Sequence, residues 1–166
     1  MEKNQNITLV GMAGAGKSTL GVLLAKALGY DFIDTDILIQ QKKNMLLQEI
    51  IDSEGIDAFL RIEEEVLSEL TATRSILATG GSAVYSDKGM QALKAHSVVV
   101  YLSVPYDEIA ARVKNIATRG IVLKNGNSLR DAFEERVPLY EQYADIIVDC
   151  SQRDIEETLG EIIRRL

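Results

Sequence analysis

Short apolar runs alternate along the chain with longer stretches in which apolar residues return every three or four positions. Residues 7–10 (ITLV) are apolar and β-rich and predict a buried strand. Leu20, Leu23, Leu24, Ala27 and Leu28 then recur at helical spacing, and Gly29 stands where that helix would end. Residues 30–33 (YDFI) predict a second strand, closed by Asp34-Thr35-Asp36. From about 37 to 72 the pattern is mostly helical, with a break near Ser53-Glu54-Gly55. Ile76, Leu77 and Ala78 predict a third strand ended by Gly80-Gly81, followed by a helix over 87–94. Residues 97–102 (SVVVYL) are the clearest strand, and a helix follows from Pro105, a residue suited to a first helical turn.

Residues 115–127 (NIATRGIVLKNGN) carry two glycines and two cations without an amphipathic repeat, and predict a loop. Ser128 is an N-cap candidate with Asp131 at the capping-box position. Pro138 falls inside the helical pattern that follows, so a kink or an early end is expected there. Residues 145–149 (DIIVD) predict a fifth strand, and a last helix spans about 153–165. Strands alternating with helices imply a five-stranded parallel sheet with helices on both faces, a three-layer α/β/α fold. Ligands of such sheets sit at the carboxyl ends of the strands. The glycine run after the first strand, Asp34/Asp36 and Gly80/Gly81 would therefore gather on one edge.

The 166 residues suffice for one domain with a core, and no linker or repeat divides them. A net charge of −7 argues against a general nucleic-acid binder, yet a few convergent cations in a cleft can still hold one small anion. No apolar run is long enough for a membrane span or a signal sequence, so a cytoplasmic setting with no membrane partner is expected. The single cysteine, Cys150, is expected to be a small buried residue at a strand end. His96, the one histidine, has no second histidine to form a metal pair and reads as a loop residue.

Gly11-Met-Ala-Gly-Ala-Gly16-Lys17-Ser18 matches G-x-x-x-x-G-K-[ST] between a predicted strand and a predicted helix. Glycines let the backbone wrap closely, so that the N–H groups of Gly14, Ala15, Gly16 and the residues through Thr19 can point at phosphate oxygens. The helix N-terminus adds partial positive charge. Lys17 would bridge the β- and γ-phosphates and Ser18 would hold Mg²⁺. The Asn-Lys-x-Asp guanine signature of a GTPase is absent; "LKNGN" lacks its aspartate. A small ATP-dependent kinase remains.

The chain resembles the shikimate kinase family of P-loop kinases, through "LVGMAGAGKSTLG", "DFIDTD", "EGIDAFLRIEEEVL", "LATGGSAV" and "ERVPLYEQYAD" in the family's order and spacing. The resemblance implies a nucleoside-monophosphate-kinase-like fold over 1–166, a helical substrate-binding insert at about 37–72 and a lid at about 113–127. It implies ATP and Mg²⁺, a small-molecule acceptor, and a monomer. By resemblance Asp34 acts in the Mg²⁺ water shell and Asp36 holds the acceptor hydroxyl, a task a carboxylate near the γ-phosphate can perform as proton acceptor. Gly80, Gly81 and Ser82 would approach the acceptor. Arg119 would close over the phosphates with the lid. Arg112 would stack near adenine, and Arg153 would complete that pocket. Arg136 would bind the acceptor's carboxylate, for which a guanidinium is suited; an ion pair with Glu134 or Glu135 is the plainer alternative. Tyr140 and Tyr143 would pack under the adenine or acceptor region.

Three positions depart from the family pattern. Ser82 stands where the family has a third glycine, and Gly120 where proline usually follows the lid arginine. Leu60 stands where a second carboxylate-binding arginine follows Phe59. Arg61 does not simply replace it, because one residue along a helix turns a side chain by roughly 100°. Glu63, on the site-facing side of Glu63-Glu64-Glu65, is left free or paired with Arg61. Phosphorylation of shikimate is the default expectation; the alternative is another small hydroxylated acceptor. A nucleoside monophosphate would want more arginines than Arg61 and Arg74 supply, and a non-catalytic nucleotide-binding module would not need Asp36.

Overall fold

The apolar run at the start of the chain is the central strand of a five-stranded sheet, and Ile7, Leu9 and Val10 in it are fully buried. The computed structural model describes residues 5–113, 120–124 and 126–166. The strands are β1 (Asn6–Val10), β2 (Asp31–Asp34), β3 (Ser75–Ala78), β4 (Ser97–Ser103) and β5 (Ile146–Asp149), all parallel, in the order β2-β3-β1-β4-β5. The helices among the described residues are α1 (Lys17–Leu28), α2 (Thr35–Lys43), α3 (Leu47–Glu54), α4 (Ile56–Glu69), α5 (Asp87–Lys94), α6 (Tyr106–Arg112), α7 (Leu129–Tyr143) and α8 (Ile155–Arg165).

Register fixes the working edge. Leu9 and Asp34 both pair with Ala78, so the residues that follow β1, β2 and β3 emerge at one level. Thr79 ties the corner, with its N–H and its hydroxyl both donating to the Leu9 carbonyl at 3.2 and 3.0 Å.

The main core lies between sheet and helices, and a smaller apolar cluster of Ile39, Leu47, Ile50, Phe59 and Val66 holds α2, α3 and α4 together. Val122, from the Gly-rich stretch before α7, is 2% exposed and belongs to this second cluster.

Two local expectations need correction. The helical region after Asp36 breaks twice: at Gly55, as its sequence indicates, and also at Asn44, whose φ of +50° ends α2. The helix containing Pro138 does not stop there but continues to Tyr143. Pro138 and Glu134 are both on the exposed face, so the carbonyl that loses its helical donor can meet water. Burial of Arg136, Tyr140 and Tyr143 on the other face offsets the lost bond. The Ser128–Asp131 capping box starts this helix: the Asp131 N–H donates to Ser128 Oγ at 3.2 Å, and the Ser128 N–H to Asp131 Oδ2 at 2.7 Å. Cys150 is buried just past β5, and burial pushes its thiol up to about 11.

Candidate active site

Gly14 and Gly16 take φ values of +83° and +94°, which fold the loop after β1 back over the N-terminus of α1. Lys17, the first residue of that helix, is 7% exposed. Its ammonium donates to the carbonyls of Gly11 and Met12 at 2.7 and 2.8 Å. Burial lowers its pKa to about 8, opposed by the negative charges of Asp36 and Asp34.

Asp34 ends β2 and caps α2, its Oδ1 accepting the Asp36 N–H at 3.0 Å. Its Oδ2 accepts a hydrogen bond from Ser18 Oγ at 2.7 Å, which joins the phosphate loop to β2. Asp36, one residue into the helix, has its pKa pushed up to about 6, chiefly by burial and then by Asp34.

Gly80 is where the backbone must come close: a Cβ there would lie 2.6 Å from Glu63 Oε1 and 2.7 Å from Asp36 Oδ1. Next to it, a Cβ on Gly81 would press on the Ala13 N–H nitrogen at 3.2 Å and on Arg136 at 3.3 Å. Tyr140 donates its hydroxyl to the Gly81 carbonyl at 2.6 Å and fixes this corner from behind.

These pieces line one cleft of about 470 Å³. At one end stand the phosphate loop, Lys17, Ser18 and Arg112; at the other, Asp36, Phe59, Gly80, Ser82 and Arg136. Arg136 is 1% exposed; its Nε donates to Tyr85 Oη at 3.1 Å and its Nη2 donates to the Val122 carbonyl. Its partners are thus not Glu134 or Glu135; Glu135 pairs with Lys124 at 2.8 Å instead. A second hollow of about 360 Å³ adjoins the phosphate loop and gathers Thr19, Arg112, Cys150 and Arg153. Arg112 is held there by Glu108 at 2.7 Å.

Several predicted site residues do not meet in the cleft. Leu60 packs against the second apolar cluster and Arg61 is exposed on the outer side of α4; neither lines the cleft. Glu63 is neither solvent-exposed nor paired with Arg61: it is 1% exposed, and Ser82 Oγ donates to its Oε2 at 2.7 Å. Burial pushes its carboxyl up to about 7, the Ser82 bond pulling the other way and Asp36 adding to the rise. Tyr143 turns away, donating to Asp87 Oδ1 at 2.8 Å. Arg119 lies outside the described residues.

Sequence reasoning missed Tyr85 and Val122, the two residues that hold Arg136. The trace of Val122 in sequence is an apolar run, Ile121-Val122-Leu123, between Gly120 and Lys124.

A family profile described as shikimate kinase matches residues 13–166. A shikimate kinase of Pseudomonas paraeruginosa is 41% identical over 164 residues, covering 97% of this chain and 95% of that protein. One of Thiobacillus denitrificans is 38% identical over 159 residues, covering 93% of this chain and 86% of that protein. Among solved structures, the shikimate kinase of Acinetobacter baumannii in complex with shikimate superposes with a TM-score of 0.90 at 34% identity, over 99% of this chain and 93% of that one. A phosphate loop, a half-buried carboxylate and a guanidinium facing one cleft, on a chain matched nearly end to end, place this protein in the shikimate kinase family.

Proposed function

We propose that this chain transfers the γ-phosphate of ATP to a hydroxyl of a small carboxylate-bearing acceptor, with shikimate as the reference acceptor. The observation that carries the reading is the placement of half-buried Asp36 and buried Lys17 on the cleft that the phosphate loop opens into. Family membership supports ATP as donor and an alcohol as acceptor. Shikimate itself comes from the relatives' names and from the solved complex.

The chemistry follows from the groups present. Backbone N–H groups of the phosphate loop hold the phosphates at the N-terminus of α1. Lys17, held by two carbonyls, has only to turn its ammonium toward a phosphate oxygen. Asp36 takes the proton of the acceptor hydroxyl while that oxygen bonds to the γ-phosphorus; the bond from phosphorus to the bridging oxygen breaks and its electron pair leaves with ADP. Arg136 holds the acceptor's carboxylate, Arg112 and Arg153 border the nucleotide, and Arg119 belongs to the lid at about 113–127, with α2–α4 as the acceptor-binding insert. A magnesium ion fits Ser18 and Asp34, two hard oxygen groups 2.7 Å apart beside the loop, and when bound it would neutralise phosphate charge. The site draws on a single chain, which supports a monomer; no described helix is long and apolar enough to cross a membrane, and a cytoplasmic setting completes the reading.

The test is ADP formation from ATP with shikimate, with the product identified by mass spectrometry. Lys17→Met and Asp36→Asn are each expected to lower kcat by at least about 10²-fold. Full turnover after Lys17→Met overturns the reading. A second acceptor class is favoured by Leu60, which leaves Arg136 as the carboxylate-binding guanidinium at this end among the described residues.

A further inference from the structure

Burial makes the Arg136 guanidinium dependent on what surrounds it. Its Nε donates to the Tyr85 hydroxyl at 3.1 Å and its Nη2 donates to the Val122 carbonyl, both uncharged acceptors. Its Nη1 lies beside Gly81 at the acceptor end of the cleft. Among the described residues no carboxylate is in ion-pair contact with it. Glu63 feels its charge, but burial holds the proton on that carboxyl up to about 7, and Ser82 holds one of its oxygens. No second guanidinium stands at this end among the described residues: Leu60 and Arg61 line an adjoining hollow of about 150 Å³ with Glu63, Ser82 and Tyr85, and neither lines the cleft.

The carboxylate placed to cancel Arg136 is its neighbour on α7. Glu135 accepts a hydrogen bond from Lys124 at 2.8 Å. That bond holds its carboxyl below the usual range, burial opposing, and a hydrogen bond from Tyr85 and the charge of Arg136 pull the same way. Glu135 and Arg136 thus meet at one hydroxyl, that of Tyr85. Lys124 also lies over the Tyr85 ring, 4.0 Å from its centre, and the Arg136 guanidinium stands 5.0 Å from the same centre.

Resting on the kinase reading, we propose that Lys124 is a positioning residue for the acceptor: by pairing with Glu135 it keeps that carboxylate off Arg136 and leaves the guanidinium's charge to the acceptor's own carboxylate.

The reason is competition. A guanidinium pairs with whichever carboxylate reaches it in good geometry. Glu135 is the preceding residue of the same helix, so without Lys124 it competes as a tethered ligand at high effective concentration. The Tyr85 hydroxyl and the Val122 carbonyl orient the guanidinium without neutralising it. The Lys124 and Glu135 side chains are 45% and 37% exposed, and an ion pair that open to water adds little to fold stability. Its consequence is felt at Arg136.

The experiment is steady-state ADP formation by the full chain, with shikimate and ATP varied in turn. Lys124→Met is expected to raise KM for shikimate by about fivefold or more, with kcat and KM for ATP within about twofold of wild type. Lys124→Arg keeps a cation for Glu135 and is expected to stay within about twofold throughout. The deciding variant is Lys124→Met combined with Glu135→Gln. With the competing carboxylate gone, KM for shikimate is expected to return to within about twofold of wild type, where Glu135→Gln alone also stays.

An unchanged KM in Lys124→Met overturns this inference and leaves the kinase reading standing. So does a raised KM that Glu135→Gln fails to rescue, the mark of a purely structural role for Lys124. Wild-type protein that forms no ADP with shikimate overturns the kinase reading and this inference with it.

Discussion

Glu63 shows how one side chain can set a protein's response to pH. In the unfolded chain it loses its proton near 4.5, whereas in the fold it keeps the proton to about 7. The native state therefore binds more protons between those values, and stability falls as pH rises through that window. Asp36 acts in the same direction up to about 6. Replacing Glu63 by Gln removes its share, worth up to about 3 kcal/mol above pH 7. The Tm of Glu63→Gln is expected to exceed that of the wild type at pH 8 and to match it at pH 4, read by thermal melts across that range; parallel curves would show that the carboxyl carries no such burden. Ser82→Ala strips Glu63 of its one donor among the described residues and is expected to cost about 1–3 kcal/mol, read as a lower urea midpoint.

At the scale of elements, the stretch before α7 joins three parts that the chain order keeps apart. Gly120 sits at φ +61° directly against α3, where a Cβ would collide with Leu47 Cβ. Two residues on, Val122 fills the apolar cluster of α2–α4, and its carbonyl holds Arg136 on α7. Proline could not take the positive φ of Gly120. Gly120→Ala is expected to push the stretch off α3 and loosen Arg136. KM for a carboxylate acceptor should rise by about tenfold or more while ATP affinity changes little, measured by steady-state kinetics with each substrate varied in turn. An unchanged KM would mean that Arg136 keeps its position without this support.

For the whole molecule, the parallel sheet acts as an alignment frame. Ends of β1, β2 and β3 emerge level, so the phosphate loop, Asp36 and Gly80 face one cleft although they come from three separate stretches of the chain. A net charge of −7 is compatible with anion binding because Lys17 and Arg112 bring cations together beside the glycine-rich loop. Saturating ATP binds this folded edge and not the open chain. At about 100 times Kd it is expected to stabilise the protein by about 2.7 kcal/mol, seen as a raised Tm, and Lys17→Met should lose most of that rise.

Sequence alone determined what local chemistry dictates. The phosphate loop is contiguous, its glycines and Lys17 act through the backbone around them, and the Ser128–Asp131 cap spans a single turn. Strand and helix order likewise set the sheet and the edge on which the site lies. The departure at Leu60 was equally plain, since it needs only the neighbouring Phe59 and Glu63 to be noticed. What replaced the missing partner was decided by the fold. Glu63 and Ser82 are 19 positions apart and on different elements, and only packing of α4 over the residues after β3 brings them to 2.7 Å. The same holds for Val122 beneath the insert, for Arg61 on the outer face of α4, and for Pro138 inside a helix whose buried side outweighs one lost hydrogen bond. A side chain's nearest neighbours in sequence limit its conformation, but its burial and its partners come from chain segments that the sequence does not place beside it.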